Sequence, residues 1–179
     1  FPCGNVEGLT VGAELCEDLW GACPPSGALA RNGATVIVNL SASNETVGKD
    51  DYRRELLKAT SARLIAGYVY ASAGDGESTQ DLVFAGHNMI LENGSILAQA
   101  RLFENETVFS ELDLGRLRHE RRRMTTFLQE GQGNYVKIPF TLRQEETSLT
   151  RTFPPRPFVP ADEALKARRC EEILAIQAM

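Results

Sequence analysis

The chain has 179 residues, 42% of them hydrophobic and 24% charged, with a formal net charge of −5. That length lets one domain bury a core without cross-links, and the acidic balance argues against a nucleic-acid partner. No apolar run approaches the ~20 residues of a membrane-spanning helix, so no membrane partner is expected.

Leu9 to Leu15 alternates apolar residues (Leu9, Val11, Ala13, Leu15) as a strand does, then delivers one cysteine, Cys16, into the carboxylates Glu17 and Asp18. A strand that breaks sharply into a turn exposes the next side chain beyond the sheet edge, which is where a nucleophile is needed. A thiol there attacks a carbonyl carbon when a neighbouring group takes its proton and donors receive the oxyanion. The same pattern also suits a small buried hydrophobe, and this stretch alone does not choose between the two.

Pro24 and Pro25 stiffen the loop that follows, and Ser26 is placed to cap a short helix running to Arg31, closed by Asn32-Gly33. Ala34 to Leu40 is a β-branched run of the kind covered on both faces. It empties into Ser41-Ala42-Ser43-Asn44, small polar residues at a strand's carboxyl end, where layered α/β folds bind ligands. Asp50 or Asp51 is expected to cap a helix through about Ala66, with Leu56, Leu57, Ala59, Ala62 and Ile65 towards the core. Gly67 to Ser72 is a further buried strand, and Ala73 to Asp81 is turn chemistry. Asn88–Glu92 and Ser95–Ala98 flank Asn93-Gly94, the strongest short hairpin signal.

Thr107 to Leu112 reads as one more strand, and Asp113 caps a helix from Leu114 to about Leu128. The arginines of that helix (Arg116, Arg118, Arg121, Arg122, Arg123) are read as a solvated face paired with acidic neighbours; His119 is given no role. From Gln129 the composition loosens, with a short strand expected at Tyr135 to Phe140. Residues 1–150 form one domain. Residues 151–179 form a proline-rich connector and an amphipathic helix (Leu165, Cys170, Ile173, Leu174, Gln177). That helix has no exit signal and the chain opens on Phe1, so a piece of a longer polypeptide is expected. Cys3, Cys16, Cys23 and Cys170 fit neither a disulfide framework nor a zinc pattern. No metal is expected, and the compartment is read as reducing and cytoplasmic.

The order of elements implies a layered α/β fold in which Cys16, Ser43 and the Gly74–Asp81 loop follow successive strands and cluster at one sheet edge. The segments Glu14-Leu15-Cys16-Glu17-Asp18-Leu19-Trp20, Asn39-Leu40-Ser41-Ala42-Ser43-Asn44, Tyr52-Arg53-Arg54-Glu55, Tyr68-Val69-Tyr70-Ala71-Ser72-Ala73-Gly74, Gly76-Glu77-Ser78-Thr79 and Asp81-Leu82-Val83-Phe84 resemble, in that order, the glutaminase domain of glutamine-dependent NAD synthetases. That domain is a member of the nitrilase (carbon–nitrogen hydrolase) superfamily. Pro157-Phe158-Val159-Pro160, Arg169-Cys170-Glu171-Glu172-Ile173 and Ile176-Gln177 are similar to the family's connector into its synthetase domain. Small departures are Leu15 and Leu64, where isoleucine and cysteine are common, and Gln80, where threonine is.

The resemblance implies an α/β, four-layer αββα sandwich, incomplete at its N-terminus, and a Glu-Lys-Cys triad in which Cys16 is the nucleophile. Glutamine is the implied substrate, bound through Ser43 and Lys49, with Trp20 lining its pocket. The Glu17 backbone N–H is suited to receive the oxyanion. The family's base glutamate and its lysine both precede the cysteine. Glu7 and Glu14 do not match the base's motif and no lysine precedes Cys16, so this chain alone is expected to be inactive. The resemblance implies no cofactor here; ATP and Mg belong to a synthetase domain outside this sequence, the chain's expected partner within a homo-oligomer. Two other readings stay open: a stand-alone amidase of the same superfamily, and a non-catalytic scaffold with a buried, inert Cys16.

Overall fold

A computed structural model of the chain describes residues 1–127 and 134–179. They fall into two compact units, Phe1–Ser148 and Leu149–Met179. The first unit is built on one mixed sheet whose spatial order follows the chain: β1 (Val11–Leu15), β2 (Val36–Ser41), β3 (Gly67–Ser72), β4 (Met89–Glu92) and β5 (Ser95–Gln99). The first three strands are parallel and the last two antiparallel. The parallel pairs need crossovers, which are supplied by α1 (Pro25–Arg31) between β1 and β2 and by α2 (Lys49–Leu64) between β2 and β3. The β4–β5 turn places Asn93 at φ +45° and Gly94 at φ +84°. Two successive positive φ values are what a two-residue hairpin of the right twist demands, and why Asn-Gly marks it.

Register decides which residues are inside. Gly12, Ile37, Tyr68 and Leu91 form one cross-strand row, and Glu14, Asn39, Tyr70 and Met89 the next. All eight are buried, and the apolar ones pack with Ala30 of α1 and Leu57 and Leu64 of α2. The apolar alternation of β1 faces the other way: Ala13 and Leu15 share the opposite face with Leu40 and Ala71, all four exposed. Two apolar faces on the parallel strands accord with the layered sandwich that the resemblance implies; the described residues contribute one of its sheets.

The buried stripe of α2 differs from expectation. Arg53, Leu57, Thr60, Ser61 and Leu64 are inside, whereas Ala59 and Ala62 are exposed and Leu56 is half-buried. Polar residues can occupy a core stripe where each finds a partner: Ser61 donates to Ala66 O at 2.8 Å, and Arg53 enters an ion pair with Glu45. The helix starts after Gly48 at φ +79°, with no side-chain cap; Asp50 and Asp51 lie in its first turn, favourable at the positive end of the dipole.

Beyond the hairpin, α3 (Leu114–Arg123) is capped by Asp113, whose carboxylate accepts the Arg116 N–H at 2.8 Å. It ends at Arg123, short of the expected Leu128, which with Gln129 lies outside the described residues. Arg116, Arg118 and Arg123 meet Glu92, Glu7 and Glu120. Arg121 instead is buried and donates to Ile65 O and Leu64 O, both at 3.0 Å. It thereby satisfies carbonyls left open where α2 ends. Residues 107–112 form no ladder. Leu112 lies against Gly67, the first residue of β3, and Asp113 N–H is bound to Glu92 of β4 at 2.6 Å. The expected strand at residues 135–140 reduces to one bridge, Phe140 with Cys3. In the second unit a proline-rich stretch, turned by a Val159 N–H to Arg156 O bond at 3.1 Å, leads to α4 (Glu163–Ala178), capped by Asp162. No helix among the described residues is long and apolar enough to cross a membrane.

Candidate functional site around Cys16

Because β1, β2 and β3 run parallel, their carboxyl ends share one sheet edge, with Leu15 beside Leu40 and Leu40 beside Ala71. Cys16 leaves β1 there, Ser41 to Ser43 leave β2, and Ala73 and Gly74 leave β3. Backbone bonds lock the loops together: Ala73 N–H to Ser41 O at 2.8 Å and Glu45 N–H to Val83 O at 2.7 Å.

Cys16 has φ +45°, a left-handed conformation that a residue with a Cβ adopts at a cost of about 1–2 kcal/mol. The turn that follows, Cys16–Trp20, forces it. Asp18 folds back to accept the Leu15 N–H at 2.8 Å, and Asn39 Nδ2 approaches Cys16 O at 3.4 Å. The outcome is a half-buried thiol aimed at the β2 end, its Sγ 3.8 Å from Ser41 Oγ. Tyr70 donates to that same Ser41 hydroxyl at 2.7 Å.

The other sequence-derived residues sit around this edge. Lys49 Nζ lies 5.4 Å from the Trp20 ring centroid and donates to Asn44 O at 2.5 Å, joining the turn after Cys16 to the loop after β2. Trp20 also stacks, tilted, on Tyr52 at 5.5 Å. Ser43 is half-buried on that loop, next to Asn44. The Glu17 side chain is exposed, and its backbone N–H follows the thiol directly.

Sequence reasoning missed the layer beneath. Glu14, two residues before the thiol, is buried: it accepts the Ser26 N–H at 2.9 Å and the Tyr68 hydroxyl. Burial first, and then this bond, push the Tyr68 phenol far above its usual range. In the sequence Ser41 is marked only as part of the polar strand end and Tyr70 only as part of a strand, neither with a role at the thiol. The available signal was period-two counting along β2, which puts Asn39 and Ser41 on one face and Leu40 on the other; Asn39 then pairs with Tyr70.

Farther in, Arg53 binds Glu45 Oε2 at 2.6 Å and His87 Nδ1 at 2.7 Å. A guanidinium only donates, so Nδ1 carries no proton and the ring is neutral. Burial, then the charges of Arg53 and Arg54, pull His87 down from 6.5 to about 4. An unfolded chain takes up that proton near 6.5 while the folded one resists until about 4. The stability tied to neutral His87 is therefore complete above 6.5 and lost as pH falls to 4, about 3 kcal/mol in all. Urea titrations should show this acid slope in the parent and a flatter one in His87→Gln. Among the described residues no group of three or more His, Cys, Asp and Glu side chains could hold a metal ion.

No protein-family model matches the chain. Over 99% of its length it is 39% identical to the glutamine-dependent NAD(+) synthetase of Mycobacterium tuberculosis, and it spans 28% of that relative's length. Among solved structures it superposes on a nitrilase-superfamily member from Saccharomyces cerevisiae (TM-score 0.55, 23% identity, 65% of this chain and 42% of that one). A carbon–nitrogen hydrolase from Helicobacter pylori matches with TM-score 0.53 and 19% identity, covering 65% of this chain and 44% of that one. The fold is that of the nitrilase superfamily.

Proposed function

We propose, from the premise that the chain belongs to the glutamine-dependent NAD(+) synthetase family as a segment with the nitrilase fold, that it carries the nucleophile of a glutamine-hydrolysing site. Cys16 attacks the carboxamide carbon of glutamine. The C–N bond breaks, ammonia leaves with a proton from the base, and water clears the γ-glutamyl thioester to glutamate. Ser43 and Lys49 hold the amino-acid end of glutamine, Trp20 lines its pocket, and the Glu17 N–H receives the oxyanion. The ammonia serves a synthetase domain that amidates nicotinate adenine dinucleotide to NAD with ATP. The chain has no Ser-Gly-Gly-x-Asp-Ser loop, so ATP and magnesium are assigned to that domain and to no residue here. The assembly is a cytoplasmic homo-oligomer.

One observation carries the reading: a thiol at φ +45° on the carboxyl edge of a parallel sheet, half-buried and facing the serine loop. Ile65 has the same backbone at φ +46° inside the core, so what sets Cys16 apart is its place at the carboxyl edge of the parallel strands, facing Ser41. By family resemblance the proton acceptor lies ahead of Cys16. Glu7 is exposed and paired with Arg118 at 2.6 Å, Glu14 is engaged by Tyr68 and Ser26, and no lysine precedes Cys16. The isolated chain accordingly shows no glutamine turnover. The test uses a diazoketone analogue of glutamine on the complete polypeptide. It should label Cys16 with one equivalent and stop glutamine-dependent, but not ammonia-dependent, NAD formation. Labelling elsewhere, or an inert Cys16, would sink the proposal.

A further inference from the structure

The polar groups behind the Cys16 sulfur line up as Tyr70, Ser41 and Cys16. The Arg53 guanidinium stands over the Tyr70 ring, its carbon 6.0 Å from the centroid, and burial raises the Tyr70 phenol, so the hydroxyl keeps its proton although Arg53 opposes the rise. It has donors only, so it cannot accept the phenol's proton. Tyr70 is buried, and the acceptor its proton reaches is Ser41 Oγ at 2.7 Å. The hydroxyl that accepts from Tyr70 is in turn the donor at Cys16 Sγ, 3.8 Å away, and must be once the sulfur is a thiolate with no proton to give. Reversing the direction would leave the buried Tyr70 proton without an acceptor, a penalty native interiors avoid.

We propose that Tyr70 and Ser41 form a one-way donor relay ending on the Cys16 sulfur, with Arg53 at its head, and that this relay favours the thiolate needed for attack. Ser41, which touches the reacting sulfur, is a catalytic residue; Tyr70 and Arg53 are positioning residues. The inference rests on Cys16 being the nucleophile. Chains of hydrogen bonds polarise one another and strengthen the last member, and the Arg53 charge beside the Tyr70 ring acts on the first. The other charged groups on surrounding elements are already committed. Asp18 accepts the Leu15 N–H, Glu14 is held by Tyr68 and Ser26, Lys49 is held by Asn44, and the Glu17 side chain is exposed. Removing the Ser41 hydroxyl takes away the donor at sulfur and also strands the buried Tyr70 proton, a cost that the Ser41→Ala, Tyr70→Phe double variant does not carry.

The test measures alkylation of Cys16 by iodoacetamide in the complete polypeptide, read on the Cys16 peptide by mass spectrometry across pH. Ser41→Ala should slow alkylation about tenfold at neutral pH, the low end for a hydrogen bond to a charged group. The deficit should close at alkaline pH, where both thiols are ionised. Tyr70→Phe should show a smaller deficit of the same form, and Ser41→Thr, which keeps the hydroxyl, should restore the parent rate. An unchanged rate in Ser41→Ala, a deficit that persists at high pH, or a Ser41→Thr as slow as Ser41→Ala overturns the relay. These readouts do not depend on glutamine. If Cys16 proves dispensable for glutamine-dependent NAD formation while the alkylation pattern holds, the glutaminase reading fails and the relay stands.

Discussion

In the complete polypeptide, Cys16→Ala abolishes glutamine-dependent NAD formation and leaves ammonia-dependent formation intact. The first effect should reach about four orders of magnitude or more, because a covalent nucleophile has no substitute within its site. The second follows from what Cys16 holds in place, which is little. Its side chain is half-buried and, among the described residues, its hydrogen-bond contact is a long one, with Ser41 at 3.8 Å, while its carbonyl, which Asn39 approaches, survives the change. The backbone at φ +45° is as strained for alanine as for cysteine. Cys16→Gly sharpens the comparison, since glycine occupies that region freely. It should fold at least as well as Cys16→Ala and be equally dead with glutamine. Rates with glutamine and with ammonium chloride, measured side by side, decide the matter. Loss of both activities, or of neither, would remove the assignment.

How much of this was legible in the sequence depends on whether the signal was local. The β-branched run before Ser41 and the Asn93-Gly94 pair announce β2 and the hairpin, because strand packing and turn backbone are set by the residues themselves. Cys16 could be singled out for the same reason: its strand and its breaking turn are adjacent in sequence. The buried face of α2 could not. Leu56, Ala59 and Ala62 look like a core stripe, yet Arg53, Thr60 and Ser61 are inside. The partners that make Arg53 tolerable there, Glu45 and His87, lie 8 and 34 residues away. Residues 107–112 have strand composition and form no ladder, since composition describes a surface and pairing requires a free edge. The Ser41–Tyr70 contact spans 29 residues and two strands. It becomes visible only once the register of β2 on β3 is known.

Arg53→Met destabilises the fold by about 3–5 kcal/mol, the range for removing one partner of a buried ion pair. The side chains of Arg53 and Glu45 are 1% and 7% exposed, so the pair is shut off from water that could replace either partner. Without the guanidinium, Glu45 is left as an uncompensated buried charge, and His87 Nδ1 loses the donor that fixes its tautomer. A domain with about 5–15 kcal/mol to lose is brought near its threshold. A simple contact count would assign the damage to lost packing, but the charge argument makes a different forecast for a second change. Adding Glu45→Gln to Arg53→Met removes the stranded charge, and more than half of the lost stability should return. Adding a substitution at Glu55, exposed and paired with Lys58 on the same helix, should return nothing. Urea midpoints of the three variants separate the accounts. If the Glu45→Gln double variant is no more stable than Arg53→Met alone, the ion pair is not what holds the loop after β2 against the sheet edge.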